Sequence, residues 1–247
     1  MVAYYLSTFP SFIYLLSLPP SPAPLQDKKF PIFGYGASFK HNSRFPSYFN
    51  LLDALKIDPS KYKNYTECEG IAQVHQAYRD ILPGLTFGDM GSAEHPHNKQ
   101  YKGDDFYDII KVAAHIVESE RQKYSIVVLI IDGDCFDNAA TIDAIVDAGD
   151  SPVSLIIVGV GNNCFENCKV FDADDIPLRH TDGRVMKRDI IQFVKFDEYK
   201  HDNQALAQAV LSEVPYQIVC YMEAKGIKPN TPGVECPENA PAVATSI

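Results

Sequence analysis

The chain has 247 residues, of which 46% are hydrophobic and 22% charged, and a formal net charge of −10. That length supports one substantial core, and the composition is that of an ordinary globular protein. The acidic balance excludes a large nucleic-acid face, which needs clustered Lys and Arg, and six cysteines at this length exclude a disulfide scaffold.

Residues 1–28 stand apart from the rest. They are apolar, aromatic and proline-rich, with no charge before Asp27. Pro10 interrupts the run too early for a membrane span, so an irregular leader is predicted. A signal peptide is the alternative, with its apolar stretch at 12–18. It would make the chain secreted rather than cytoplasmic, and only then would Asn64-Tyr65-Thr66 matter as a glycosylation acceptor.

Regular patterning begins after Lys29. Residues 30–36 (FPIFGYG) read as a strand closed by Gly34 and Gly36, and a short apolar cluster follows at 49–52. Ile71, Val74, Tyr78 and Leu82 recur at helical spacing, and Pro83-Gly84 stops that helix. Residues 88–103 are a loop by composition, and His95 and His97 within it read as exposed polar residues. Asp104 caps a helix whose apolar stripe runs from Phe106 to Val117. The run 124–131 (YSIVVLII), rich in β-branched residues, predicts a strand buried on both faces. Asp137 or Asn138 caps the next helix, with Ile142, Ile145 and Val146 inward. Apolar strands follow at 153–160 and 190–196. A last helical region spans 203–225 and breaks or kinks at Pro215, and the tail 231–247 is expected to be disordered. Strands alternating with helices mean crossover units: an α/β fold with a mostly parallel, doubly wound sheet and helices on both faces.

Enzymatic signatures are scarce. The chain has no phosphate-binding G-x-x-x-x-G-K-[ST] and no G-x-S-x-G elbow. Val158-Gly159-Val160-Gly161 follows a strand, but Cys164 stands where a dinucleotide fingerprint needs its last glycine, so a tight turn is predicted. Cys164-x3-Cys168 offers half a zinc site with no second pair. The acidic run Asp172, Asp174, Asp175 lacks calcium-loop spacing and reads as a solvated turn. Asp132 and Asp134 are better placed for an ion, because loops converge at the carboxyl edge of a parallel sheet.

Several segments in order resemble a known family: FPIFGYGA, ECEGIAQVHQAYRDILP, LIIDGDCFDNAATIDAIVDA, SLIIVGVGN, RDIIQFVKF and LAQAVLSEVPYQIVCYMEAKGIKP. Together they are similar to the copine carboxy-terminal domain, a relative of the von Willebrand factor A-type fold, over residues 29–230. The resemblance implies a doubly wound sheet with a metal-dependent adhesion site built by three loops. Asp132 matches the aspartate of the third loop. No Asp-x-[Ser/Thr]-x-Ser occurs for the first loop, and no Thr lies between Thr86 and Thr141 for the second. One carboxylate holds a hydrated cation poorly, so Mg2+ or another divalent cation is expected to bind weakly or not at all, and no cofactor is assigned. The first, central strand of the family is also missing. Either strands 30–36 and 126–131 pair directly, or the leader fills the gap.

The resemblance implies a non-enzymatic module that binds a protein partner through the carboxyl edge, where Gly34, Gly36, Asp134 and Gly161 are the candidate binding residues and Asp132 the metal residue. The rival readings are a cation-dependent enzyme or metal-binding protein using Asp132 and Asp134, and a non-functional fragment of a longer copine. Copines carry calcium-dependent lipid-binding domains ahead of this one. Their pattern does not occur in this chain, so calcium-dependent membrane binding is not expected.

Overall fold

The computed structural model describes residues 29–35, 38–39, 48–51, 67–86, 110–111, 124–131, 138–162, 164–173 and 176–228. The chain divides into two compact units. The first comprises Met1–Asp105, Cys135–Asp137 and Phe196–Ala209; the second comprises Phe106–Asp134, Asn138–Lys195 and Val210–Ile247.

In the first unit the strands are short and antiparallel. β1 (Lys29–Pro31) pairs with β5 (Glu67–Glu69), β2 (Phe33–Tyr35) with β4 (Tyr48–Asn50), and β3 (Ser38–Phe39) with β6 (Leu85–Thr86). The stretch expected as one strand at 30–36 is therefore two, and its ladders run to β5 and β4 rather than to the strand at 126–131. Pro31 has no N–H to give a ladder, which suits a strand end and not a central strand. Between the two pieces, the Ile32 carbonyl accepts the Leu51 N–H at 3.0 Å. Helix α1 (Gly70–Ile81) follows β5 directly and gives way to a 3-10 turn at Leu82–Gly84, where Pro83 and Gly84 were expected to end it. Ile81 and Leu51 form a small buried cluster, with Ile32, Tyr78 and Leu85 packed on it.

The second unit is a parallel three-stranded sheet, β7 (Ser125–Ile131), β8 (Val153–Gly159) and β9 (Ile191–Lys195), in the order β7-β8-β9. The register pairs Ile131 with Gly159 and Gly159 with Lys195 at the carboxyl ends. Helix α2 (Asn138–Ala148) makes the first crossover and α3 (Glu166–Phe171) lies in the second. Both connections run the same way across the sheet, so right-handed crossovers put α2 and α3 on one face. Helix α6 (Val214–Ala224) packs on β8 from the face carrying Ser154. This is the expected α/β architecture.

All seven residues of β8 are buried, with Leu155 and Ile156 fully so. β7 is not enclosed on both faces as expected: Ile126 is 45% exposed, and Val127, Val128 and Ile130 are half-buried. The reason is position. β8 has a strand on each side and helices above and below, and it takes the most enclosed place that the apolar run alone suggested for β7.

The region 203–225 is two helices, α5 (Asn203–Leu211) and α6, the short α4 (Phe196–Tyr199) coming before them. Asp202 caps α5: its carboxylate accepts the N–H groups of Gln204 (3.0 Å) and Ala205 (2.9 Å). Pro215 sits in the first turn of α6, where a missing N–H costs nothing. In α2 the buried residues are Thr141, Ala144, Ile145, Val146 and Ala148, while Ile142 is only half-buried. Ile110 and Lys111 are helical, the first buried and the second exposed, but the other residues of the predicted helix from Phe106 to Val117 lie outside the described residues, as do the leader, the histidine loop and the tail. No helix among the described residues is long and apolar enough to cross a membrane.

β9 ends the sheet among the described residues. Its Ile190 carbonyl accepts the Leu155 N–H, which turns the amides of Ile191 and Phe193 away from β8. Each meets a carboxylate: Ile191 donates to Asp189 at 2.9 Å, and Phe193 to Asp172 at 2.7 Å. Asp172 was expected in a solvated turn. It clips the sheet instead, and Ala173 beside it takes a left-handed φ of 52°.

Candidate functional site at the carboxyl edge of the sheet

The strands position this site through register. β7 ends at Ile131, level with Gly159 of β8, and the Val160 N–H donates to the Ile131 carbonyl at 2.8 Å. The chain then turns at Gly161, which is buried with φ of 90°, a conformation that favours glycine. This is the tight turn read from the G-x-G. Gly159 has a different reason to be glycine. A Cβ there would stand 3.0 Å from the ring of Phe165, so the missing side chain lets that ring close over the strand end. Phe165 is buried and packs on Phe193, with ring centroids 5.7 Å apart. The floor of the edge is thus apolar. Around it, exposed Cys164 holds its Sγ 3.7 Å from Glu166 Oε1, and Glu166 pairs with Lys169 at 3.0 Å.

Of the residues expected at this edge, Gly161 is there. Gly34 lies inside β2, opposite Phe49, in the first unit, and not on a loop. Gly36, Asp132 and Asp134 lie outside the described residues; Asp132 directly follows β7 in the chain. Among the described residues no group of three or more His, Cys, Asp or Glu is arranged to hold a metal ion. Cys68, Cys164, Cys168 and Cys220 form no disulfide, and burial pushes the Cys68 thiol up from its ordinary value.

The most developed polar chemistry lies at the opposite, amino edge, where no motif pointed. The guanidinium of Arg188 donates to the carbonyls of Gly149 (2.9 Å), Ser151 (2.6 Å), Val153 (2.9 Å) and Gln217 (3.4 Å), and to the Tyr124 hydroxyl (2.9 Å). It lies 5.7 Å from the ring centroid of Tyr124 and 5.2 Å from that of Tyr221. Tyr124 Oη donates to the Val153 carbonyl at 2.9 Å. Buried Ser154 Oγ donates to Gln217 Oε1 at 2.5 Å, and Gln217 Nε2 donates to the Ile191 carbonyl at 3.2 Å. This knot ties the starts of all three strands to α6. Every donor of Arg188 is spent on the chain itself, so the knot is structural.

A second polar group joins α2 to the hairpin around the bridge between Arg179 and Val185. The carboxylate of Asp143 accepts the Thr181 N–H (2.7 Å) and hydroxyl (2.6 Å). Arg184 pairs with Asp147 (2.9 Å) and Asp182 (2.7 Å). The Thr181 hydroxyl above all holds the Asp143 carboxyl below its ordinary value, and the Arg184 backbone N–H above all does so for Asp182.

The sequence pattern of the Copine family matches residues 24–230. Copine-D of Dictyostelium discoideum is 32% identical over 206 residues, covering 83% of this chain and 36% of its own length. Copine-E of the same organism is 34% identical over 169 residues, covering 66% of this chain and 27% of its own length. The chain therefore spans about a third of the length of these relatives. The match runs from before β1 to just past α6 and takes in both units.

Proposed function

Because this chain belongs to the copine family, we propose that it is a non-enzymatic protein-interaction module with a degenerate metal-dependent adhesion site at the carboxyl edge of its sheet. The observation that supports this reading is the donor set. A single aspartate, Asp132, follows β7 where the resemblance implies the third-loop ligand, while no Thr lies between Thr86 and Thr141 for the second loop. A hard divalent cation takes six or more oxygen ligands, and one carboxylate leaves it mostly hydrated and weakly held.

On this reading the edge recognises a protein through shape and backbone groups. Gly161 stands at that edge, Asp134 is assigned to it from its place after β7 in the sequence alone, and the chain works in the cytoplasm. The whole-length activities of its relatives are not carried over, since the chain matches only part of them. Magnesium titration by calorimetry tests the proposal. No saturable heat is expected up to about a millimolar, the weak end of protein sites, and Asp132→Ala is expected to leave the trace unchanged. Tight binding that vanishes in Asp132→Ala would establish a working cation site and defeat the proposal.

A further inference from the structure

Helix α6 carries its polarity the wrong way round for a surface helix. Residues 214–222 (VPYQIVCYM) contain no charge and a single amide, Gln217. That amide is 2% exposed and bound to Ser154 and the Ile191 carbonyl. Tyr216 is 73% exposed and Val219 51% exposed, and Pro215 is exposed beside them. Tyr216, Val219 and half-buried Cys220 fall at i, i+3 and i+4, so they share one outward face. A helix apolar all round is normally covered on all sides. Here the inward face of Val214, Gln217 and Tyr221 is covered and the outward face is open.

The charges around that face narrow what covers it. Half-buried Glu213, which accepts the Gln217 amide at 3.1 Å, stands just before the helix and exposed Glu223 in its last turn, so both ends of the Tyr216–Val219 stripe carry a carboxylate. The cation nearest in sequence, Lys225, is turned to Asp150 (3.8 Å) and lies over the Tyr221 ring (5.8 Å). A second copy laid on this face would set glutamate against glutamate. An anionic lipid surface would meet the same two carboxylates on a chain of net charge −10. We propose that the outward face of α6 docks an amphipathic helix of a partner protein, with an apolar stripe flanked at both ends by Lys or Arg. Tyrosine suits the centre of such a contact, because it buries a large area with few rotors to freeze. This surface rests on the interaction-module reading but makes no use of the carboxyl edge.

Fluorescence anisotropy on the full chain tests it with two designed peptides. They share a leucine stripe at helical spacing and differ only in lysine or glutamate flanks. The lysine-flanked peptide is expected to bind at least tenfold tighter. Tyr216→Ala and Val219→Lys, both at exposed positions and checked for unchanged circular dichroism, are each expected to weaken it at least tenfold. Glu223→Lys is expected to narrow the preference between the peptides, and Asp132→Ala to change nothing. Equal affinity for the two peptides, or indifference to Tyr216→Ala and Val219→Lys, overturns the proposal. So does a dimer of the wild type, or binding to phosphatidylserine vesicles, that Val219→Lys abolishes, since either assigns the face to another occupant. Peptide binding lost in Asp132→Ala would move the contact to the carboxyl edge, sinking this surface while leaving the interaction module standing.

Discussion

At the scale of single residues, Gln217 shows how much one buried amide can do. It takes the Ser154 hydroxyl and gives to the Ile191 carbonyl from a position 2% exposed. Gln217→Leu fills the space but takes the donor from the Ile191 carbonyl and leaves the Ser154 hydroxyl to Tyr124 Oη at 2.9 Å. The expected cost is about 2 kcal/mol, read as a lower urea midpoint with an unchanged slope. Arg188 is the harder residue to have foreseen. Beside Asp189 in the sequence it looks like a surface charge, and its acceptors are spread from Tyr124 to Gln217. No local pattern reports a partner that far along the chain. Gly161 was legible because its conformation is a local demand. Gly159 was singled out in the same motif for the wrong reason, since what it accommodates is the ring of Phe165.

Elements were legible where periodicity and a stop signal coincided. α1 runs to the expected Pro83-Gly84, β8 and β9 sit where their apolar runs fall, and Pro215 marks the break between α5 and α6. The strand at 30–36 was misread because Pro31 and the Ile32 carbonyl divide it, and pairing depends on partners that sequence does not name. The hairpin that carries Thr181 has no apolar pattern at all and is held to α2 by charges. Its acid response follows. The Asp143 carboxyl lies below its ordinary 3.8 in the folded chain, chiefly through the Thr181 hydroxyl. A depressed folded-state value adds stability that is complete above the unfolded value and is lost as pH falls through the folded one. Docking of the hairpin is therefore expected to hold at pH 5 and to weaken progressively below about 4. The Thr181 amide shift in an NMR titration reports it. In Asp143→Asn, which keeps the shape but cannot titrate, that acid limb is expected to shrink to the part carried by Asp182; a limb of unchanged size would remove Asp143 from the account.

For the molecule as a whole, the α/β class and the family were legible from alternation and from segment order, and the match over residues 24–230 bears out the family. The division into two units was not, because it gathers pieces far apart in sequence: Phe196–Ala209 joins the amino-terminal unit while β9, just before it, belongs to the other. The carboxylates along β9 bear on how molecules behave toward one another. Asp189 and Asp172 answer two of the outward amides, those of Ile191 and Phe193, in a strand reading IQFVK. Without them, that rim would offer bare donors to the same rim of a neighbour, the geometry from which fibres grow. The double variant Asp172→Ala with Asp189→Ala is expected to scatter light and brighten thioflavin on shaking, at concentrations where the parent stays clear; two equally clear solutions would deny those oxygens any part in keeping the protein monodisperse.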